Sequence, residues 1–86
     1  MFLTMYYTYI LYSSKITKFY SGQTKDLAKR LEEHNRGKTT FMATGAPWVI
    51  VFSREFDSRS EAVKLERFIK SRGASRFLND NKSDVG

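Results

Sequence analysis

The spacing of apolar and polar positions changes along this chain, and the changes mark its elements. Residues 6–12, Tyr-Tyr-Thr-Tyr-Ile-Leu-Tyr, are aromatic and β-branched and predict a strand. Ser13, Ser14 and Lys15 read as a turn, and Lys18 to Gly22 as the hairpin partner. Thr24 is the expected N-cap of a helix that runs to Asn35 and Arg36, with Gly37 as its stop. Residues 37–46 are rich in Gly and Thr and read as a loop. Pro47 then opens Trp48-Val49-Ile50-Val51-Phe52, an unbroken apolar run that predicts a central strand covered on both faces. Ser58 or Ser60 caps a second helix ending near Gly73, and Ser58-Arg59-Ser60-Glu61 has capping-box spacing. Residues 74–79 read as a last short helical turn. The order is β-β-α-β-α(-α): one α/β (α+β) domain with a small three-stranded antiparallel or mixed sheet flanked by helices. Residues 1–5 read as an N-terminal extension with Met5 as an alternative start, residues 6–79 as the domain, and residues 80–86 as a flexible tail.

Three polar features interrupt this pattern. On a wheel of about 100° per residue, Leu27, Ala28 and Leu31 define the core side of the first helix, and Arg30 and His34 border it. Lys25, Lys29, Glu32, Glu33 and Arg36 point away. One reading is an Arg stem lying over apolar surface beside a hydrogen-bonded edge histidine; the other is a functional pair. In the second helix, Glu66 falls inside the stripe of Ala62, Leu65 and Ile69, with Val63 and Phe68 at its margins. Carboxylates are seldom buried unless paired or bound to metal. Glu66 is therefore either an ion-pair partner of Arg30 or a metal ligand. The third feature is the tyrosines. Tyr7 and Tyr9 share one face of the first strand, Tyr6 and Tyr12 the other, and Tyr20 precedes Ser21-Gly22 at a strand end.

The charge narrows the partners. Fifteen Lys and Arg stand against nine Asp and Glu, a net +6, which favours nucleic acid or an anionic membrane surface. The chain has no cysteine, which excludes disulfides, thiolate metal sites and a Cys nucleophile. His34 is the one histidine, so a multi-His zinc site within one chain is excluded too. No apolar run approaches the roughly 20 residues that span a bilayer, and the start lacks a basic segment. A cytoplasmic protein without membrane contact is expected. With 41% hydrophobic and 15% aromatic residues, one packed core is expected rather than disorder.

Taken in order, these positions resemble the GIY-YIG endonuclease family. Tyr7-Thr8-Tyr9 followed by Tyr20-Ser21-Gly22 is similar to the two tripeptides that name it. Gln23 to Leu31 looks like the family's first helix, with Arg30 ten residues after Tyr20. Ser58 to Lys70 looks like the helix that carries the family's acidic residue, which falls on Glu66. Asn35 to Lys38 and Pro47-Trp48 resemble small single-domain members, which are similar to the catalytic domain of the excision-repair nicking subunit. The likeness covers residues 6–78. It departs at Tyr7-Thr8, where Gly-Ile is usual, at Ser21, where Ile or Val is usual, and in Ala43 to Ala46, which lacks a basic cluster.

The resemblance implies metal-assisted hydrolysis of a phosphodiester. Tyr20 would be the general base for the attacking water, and Tyr9 would support it or contact the scissile phosphate. Arg30 would stabilise the phosphoryl oxygens. His34 would aid proton transfer or hold Tyr20. Glu66 would bind Mg²⁺ or Mn²⁺, and Tyr7, Gly22, Lys29 and Lys38 would face the nucleic acid. An ordinary tyrosine has a pKa of about 10, and bringing it to neutrality takes about 4 kcal/mol. A cation at about 4 Å supplies that much at an effective dielectric of about 20, so a rate that rises with pH is expected. A single carboxylate makes a poor magnesium cage; the substrate is expected to complete the metal's shell.

Two other readings share the fold. One is a module that binds nucleic acid without cutting it; the presence of both Arg30 and Glu66 separates hydrolysis from binding, since a pure binder has no need of a semi-buried carboxylate that repels phosphate. The other is a protein-interaction domain, which would lack salt-dependent nucleic-acid affinity. DNA is favoured over RNA, with repair or recombination as the setting. No zinc-finger spacing exists without cysteine, so specificity is expected to come from substrate structure or from a protein partner. Phe41, Trp48 and Tyr12 are candidates for stacking on bases, with core packing the better reading of Trp48. Asn79 is a further candidate polar group for the site.

Overall fold

The structure is a computed structural model that describes residues 4–83. The ends of the expected N-terminal extension and tail, residues 1–3 and 84–86, lie outside the described residues. Strand β1 (Tyr6–Ser13) turns back into β2 (Lys18–Thr24), followed by helix α1 (Leu27–Asn35). A short helix α2 (Thr40–Gly45) leads to β3 (Val49–Phe56), then α3 (Arg59–Arg72) and α4 (Ala74–Ser83). The sheet is antiparallel throughout, in the order β2-β1-β3.

The central strand is β1, not the apolar run after Pro47. Thr8, Tyr9, Ile10 and Leu11 are each fully buried. Strand β3 is an edge, and Val49, Ile50 and Val51 are 51%, 37% and 42% exposed. An unbroken apolar run therefore overstated burial here. Only Trp48, one residue ahead of the strand, goes fully inside.

Alternation along β1 divides the core between two faces. Tyr9, Leu11 and Trp48 pack with Tyr20, Leu27 and Leu31 on the α1 side. Ile10, Ile69 and Phe77 pack with Phe52, Leu65 and Leu78 on the α3–α4 side. A register shift against β3 between Ile10 and Leu11 marks a bulge. Thr8 stands where the family motif usually has Ile. Its hydroxyl donates to the Ala62 carbonyl at 2.7 Å, which ties α3 to the central strand.

Several local expectations are corrected. The N-cap of α1 is Asp26, whose carboxylate accepts from Lys29 N at 3.1 Å. Thr24 instead ends β2, and its hydroxyl accepts from Asp26 N. Ala28 is exposed rather than on the core side. The segment read as a loop contains α2, capped by Thr39. Two long-range hydrogen bonds hold it: Trp48 Nε1 donates to the Met42 carbonyl at 2.9 Å, and Ser13 Oγ to the Gly45 carbonyl at 2.6 Å. The last helix runs well past residue 79, to Ser83. Ser58 caps α3 as expected, accepting from Glu61 N. Gly73 ends α3 at φ +94°, in the left-handed region where a side chain is strained, and from there the chain turns directly into α4.

Candidate active site

Cross-strand register brings the two tripeptides together. Tyr9 lies opposite Gly22, and Leu11 opposite Tyr20. A Cβ on Gly22 would stand 2.6 Å from the Tyr9 hydroxyl and 2.8 Å from Cζ. The glycine is thus required because the Tyr9 ring lies across its backbone. It is buried in mid-strand, not at the strand end that the sequence suggested.

Tyr9, Tyr20 and His34 form one aromatic cluster. The tyrosine rings stack at 6.5 Å, and His34 meets Tyr20 edge-on at 4.6 Å and Tyr9 at 6.2 Å. His34 is 2% exposed. Its Nδ1 lies 2.9 Å from the Arg30 carbonyl. A carbonyl only accepts, so Nδ1 carries the proton, and in the neutral ring Nε2 holds a free lone pair. Burial lowers the His34 pKa below 6.5, with the Arg30 and Lys38 charges acting the same way and the Arg30 carbonyl opposing them. The ring is neutral at pH 7.

Tyr9 is fully buried. Burial pushes its pKa up to about 12, against the pull of the Arg30 charge. Tyr9 therefore stays a neutral phenol. Its hydroxyl and His34 Nε2 are both buried without a close hydrogen-bond partner in the protein, the Arg30 side chain lying near the hydroxyl. Buried polar atoms seldom go unpaired; the Tyr9 hydroxyl can donate to a phosphate oxygen, whereas the Nε2 lone pair can only accept, from a water or a hydroxyl.

Helix α1 and the residues flanking it place the cations. Tyr20, Arg30, His34 and Lys38 line one hollow of about 190 Å³. Arg30 and Lys29 also line a neighbouring one of about 260 Å³ with Lys25. Tyr7 sits on the same strand face as Tyr9, two residues away and opposite Thr24 and Glu55. The expected Arg30–Glu66 pair is not formed. Arg30 pairs with Glu33 at 3.3 Å, one turn along its own helix. Glu66 pairs with Lys70 at 2.7 Å. The Glu66 carboxylate still raises the Tyr9 pKa, so its field reaches the cluster. Lys70 was missed from sequence, although its i+4 spacing from Glu66 was a visible signal.

The described residues hold no cluster of three or more acidic or histidine side chains suited to a metal ion. Glu66, with 19% of its side chain exposed, fits a different arrangement: a single carboxylate anchoring a hard cation whose other ligands are waters and phosphate oxygens.

Asn35 braces this geometry. Its amide oxygen accepts from Trp48 N at 2.5 Å, and its amide nitrogen donates to the Trp48 carbonyl at 3.2 Å. The end of α1 is thereby clamped to the start of β3.

The chain is 39% identical to the UPF0213 protein YsiG of Lactococcus lactis, over 79% of this chain and 65% of that one. It is 40% identical to a UPF0213 protein of Enterococcus faecalis, over 60% of this chain and 62% of that one. The chain thus spans somewhat less than two thirds of the length of these two relatives. The solution NMR structure of the UPF0213 protein BH0048 from Bacillus halodurans is similar, with TM-score 0.54, 26% identity and coverage of 94% of this chain and 84% of that one. Among the described residues, no helix is long and apolar enough to cross a membrane. The GIY-YIG catalytic-domain model matches residues 5–79, and the chain belongs to the GIY-YIG family.

Proposed function

We propose that this protein is a metal-dependent endonuclease that hydrolyses phosphodiester bonds in DNA, in a repair or recombination setting. The observation that carries the reading is the Tyr9–Tyr20–His34 cluster beside Arg30, in which the Tyr9 hydroxyl and His34 Nε2 are buried without a close partner.

In this reading the Tyr20 hydroxyl orients the attacking water and takes its proton as it gives up its own to His34. The half-exposed Tyr20 ring abuts neutral His34, whose free Nε2 takes the proton onward. The water oxygen bonds to phosphorus, and the bond to the leaving sugar oxygen breaks; that oxygen takes a proton from solvent. Tyr9 cannot serve as the base, because its pKa of about 12 keeps it protonated. It donates a hydrogen bond to a phosphate oxygen. Arg30 adds positive charge where the phosphoryl oxygens gain negative charge. Glu66 would hold Mg²⁺ or Mn²⁺, which supplies Lewis acidity toward the phosphate.

A second reading has one observation in its favour. Lys70 neutralises Glu66, so phosphate could dock without repulsion and without a metal, as in a non-catalytic binding module. Both readings are tested together with labelled branched, nicked and single-stranded DNA and with RNA. Each is incubated in Mg²⁺ or Mn²⁺ and in EDTA, beside Glu66→Ala. Metal-dependent cutting that vanishes in Glu66→Ala is expected; salt-sensitive binding with no cutting by the wild type would leave the binding module.

A further inference from the structure

Two concavities meet at Tyr20. One is the hollow shared with Arg30 and His34. The other is a groove of about 650 Å³ between β2 and the α3–α4 junction, lined by Phe19, Phe41, Lys70, Arg72 and Arg76. No carboxylate among the described residues lines it, though Lys70 is paired with Glu66 and Arg72 with Asp80. The groove continues past Phe19 and Arg76 into a hollow of about 350 Å³ that adds Asn79 and Lys82. Its size falls within the roughly 300–1,000 Å³ of small-ligand clefts.

The rings are what set this groove apart. Phe19 and Phe41 are 36% and 45% exposed. Each is braced by an aromatic neighbour: Phe19 by Tyr12 at 4.9 Å and Phe41 by Trp48 at 5.6 Å. They are held in place yet left open. Cations alone suffice to hold a duplex backbone, and in a duplex the base faces are covered by one another. Exposed rings set among cations suit an unpaired strand, whose bases offer their faces for stacking.

We propose that this groove is a subsite for an unpaired nucleotide adjoining the scissile phosphate, with its base on Phe19 and Phe41 and its phosphate near Arg76. The substrate is then single-stranded on the α3–α4 side of Tyr20. This rests on the nucleic-acid reading of the Tyr20 site and adds its substrate class.

The test measures binding in EDTA by fluorescence anisotropy across a salt series. The probes are a labelled oligothymidylate, an abasic strand of equal length and a blunt duplex. The wild type is expected to bind the oligothymidylate about tenfold or more tightly than the abasic strand. Phe19→Leu/Phe41→Leu should erase that preference while keeping the salt slope; Phe19→Tyr/Phe41→Tyr, which still stacks, should keep it. Arg76→Gln should lower the slope by about 0.7 and leave the preference intact. Equal wild-type affinity for base-bearing and abasic strands, tighter binding of the blunt duplex, or a preference surviving in the leucine variant overturns the subsite. The wild-type comparison stands even if the leucine variant fails to fold. Metal-dependent cutting without base preference would remove this subsite and leave the nuclease reading. Neither binding nor cutting of any probe would remove both.

Discussion

The Tyr9 ring lies across the backbone of Gly22, its partner on the neighbouring strand, at a distance that leaves no room for a Cβ. This contact joins the two tripeptides of the family into one structural unit. Gly22→Ala is expected to displace Tyr9 from the cluster and to destabilise by about 1–3 kcal/mol through overpacking. Adding Tyr9→Phe should recover part of the stability, by removing the atom 2.6 Å from the new methyl, but not the cleavage. Thermal unfolding and nuclease assays of the single and double variants check this.

Titration singles out Tyr9. Tyr9 has its pKa raised from 10.0 to about 12. Its contribution to stability is therefore fully present below pH 10.0 and is lost as pH rises through about 12. Tyr9→Phe should flatten that alkaline loss in denaturant titrations. Cleavage should persist, at reduced rate, in Tyr9→Phe and vanish in Tyr20→Phe.

His34 acts at the other end of the pH scale. Its pKa is lowered from 6.5 by burial. Below 6.5 the unfolded chain takes up a proton that the folded ring resists, so stability falls as pH drops from 6.5 through the folded value. Urea unfolding at pH 7.5 and pH 5 should show this loss in the wild type and a smaller one in His34→Gln. The acid limb of the cleavage rate should likewise lie below 6.5.

Glu66 and Lys70 form a pair whose lysine side is 58% exposed. Such a pair contributes about 1 kcal/mol or less. Glu66→Gln should therefore fold normally while losing metal-dependent cleavage. Because Lys70 competes for the carboxylate, free protein should bind Mg²⁺ only weakly, and Lys70→Ala should tighten that binding. Calorimetric titration showing micromolar Mg²⁺ affinity in the free wild type would contradict the substrate-completed metal site.

The Asn35 clamp on Trp48 is a stability element rather than a chemical one. Asn35→Ala leaves a backbone N–H and carbonyl at the start of β3 without their partners. A cost of about 1–3 kcal/mol is expected. That corresponds to a melting point lower by about 4–8 °C per kcal/mol in a domain of this size.

By itself, the sequence determined the two hairpin strands, the long helices and their order, and it named the candidates for the site. Local chemistry explains this: a β-branched aromatic run, Ser58 at its cap, Gly37 and Gly73 at helix ends, and polar residues placed against apolar faces. Tertiary structure decided the rest. Val49 to Val51 became an edge because β1 took the centre, and an apolar run carries no statement of its neighbours. Helix α2 has only six residues, too few to hold by propensity, and it depends on hydrogen bonds from Ser13 and Trp48. The wheel placed Arg30 and Glu66 correctly near the core but could not pair them, since each found a partner on its own helix. Gly22 was legible as a glycine of the motif. That it makes room for Tyr9 depends on strand register, which only the folded sheet fixes.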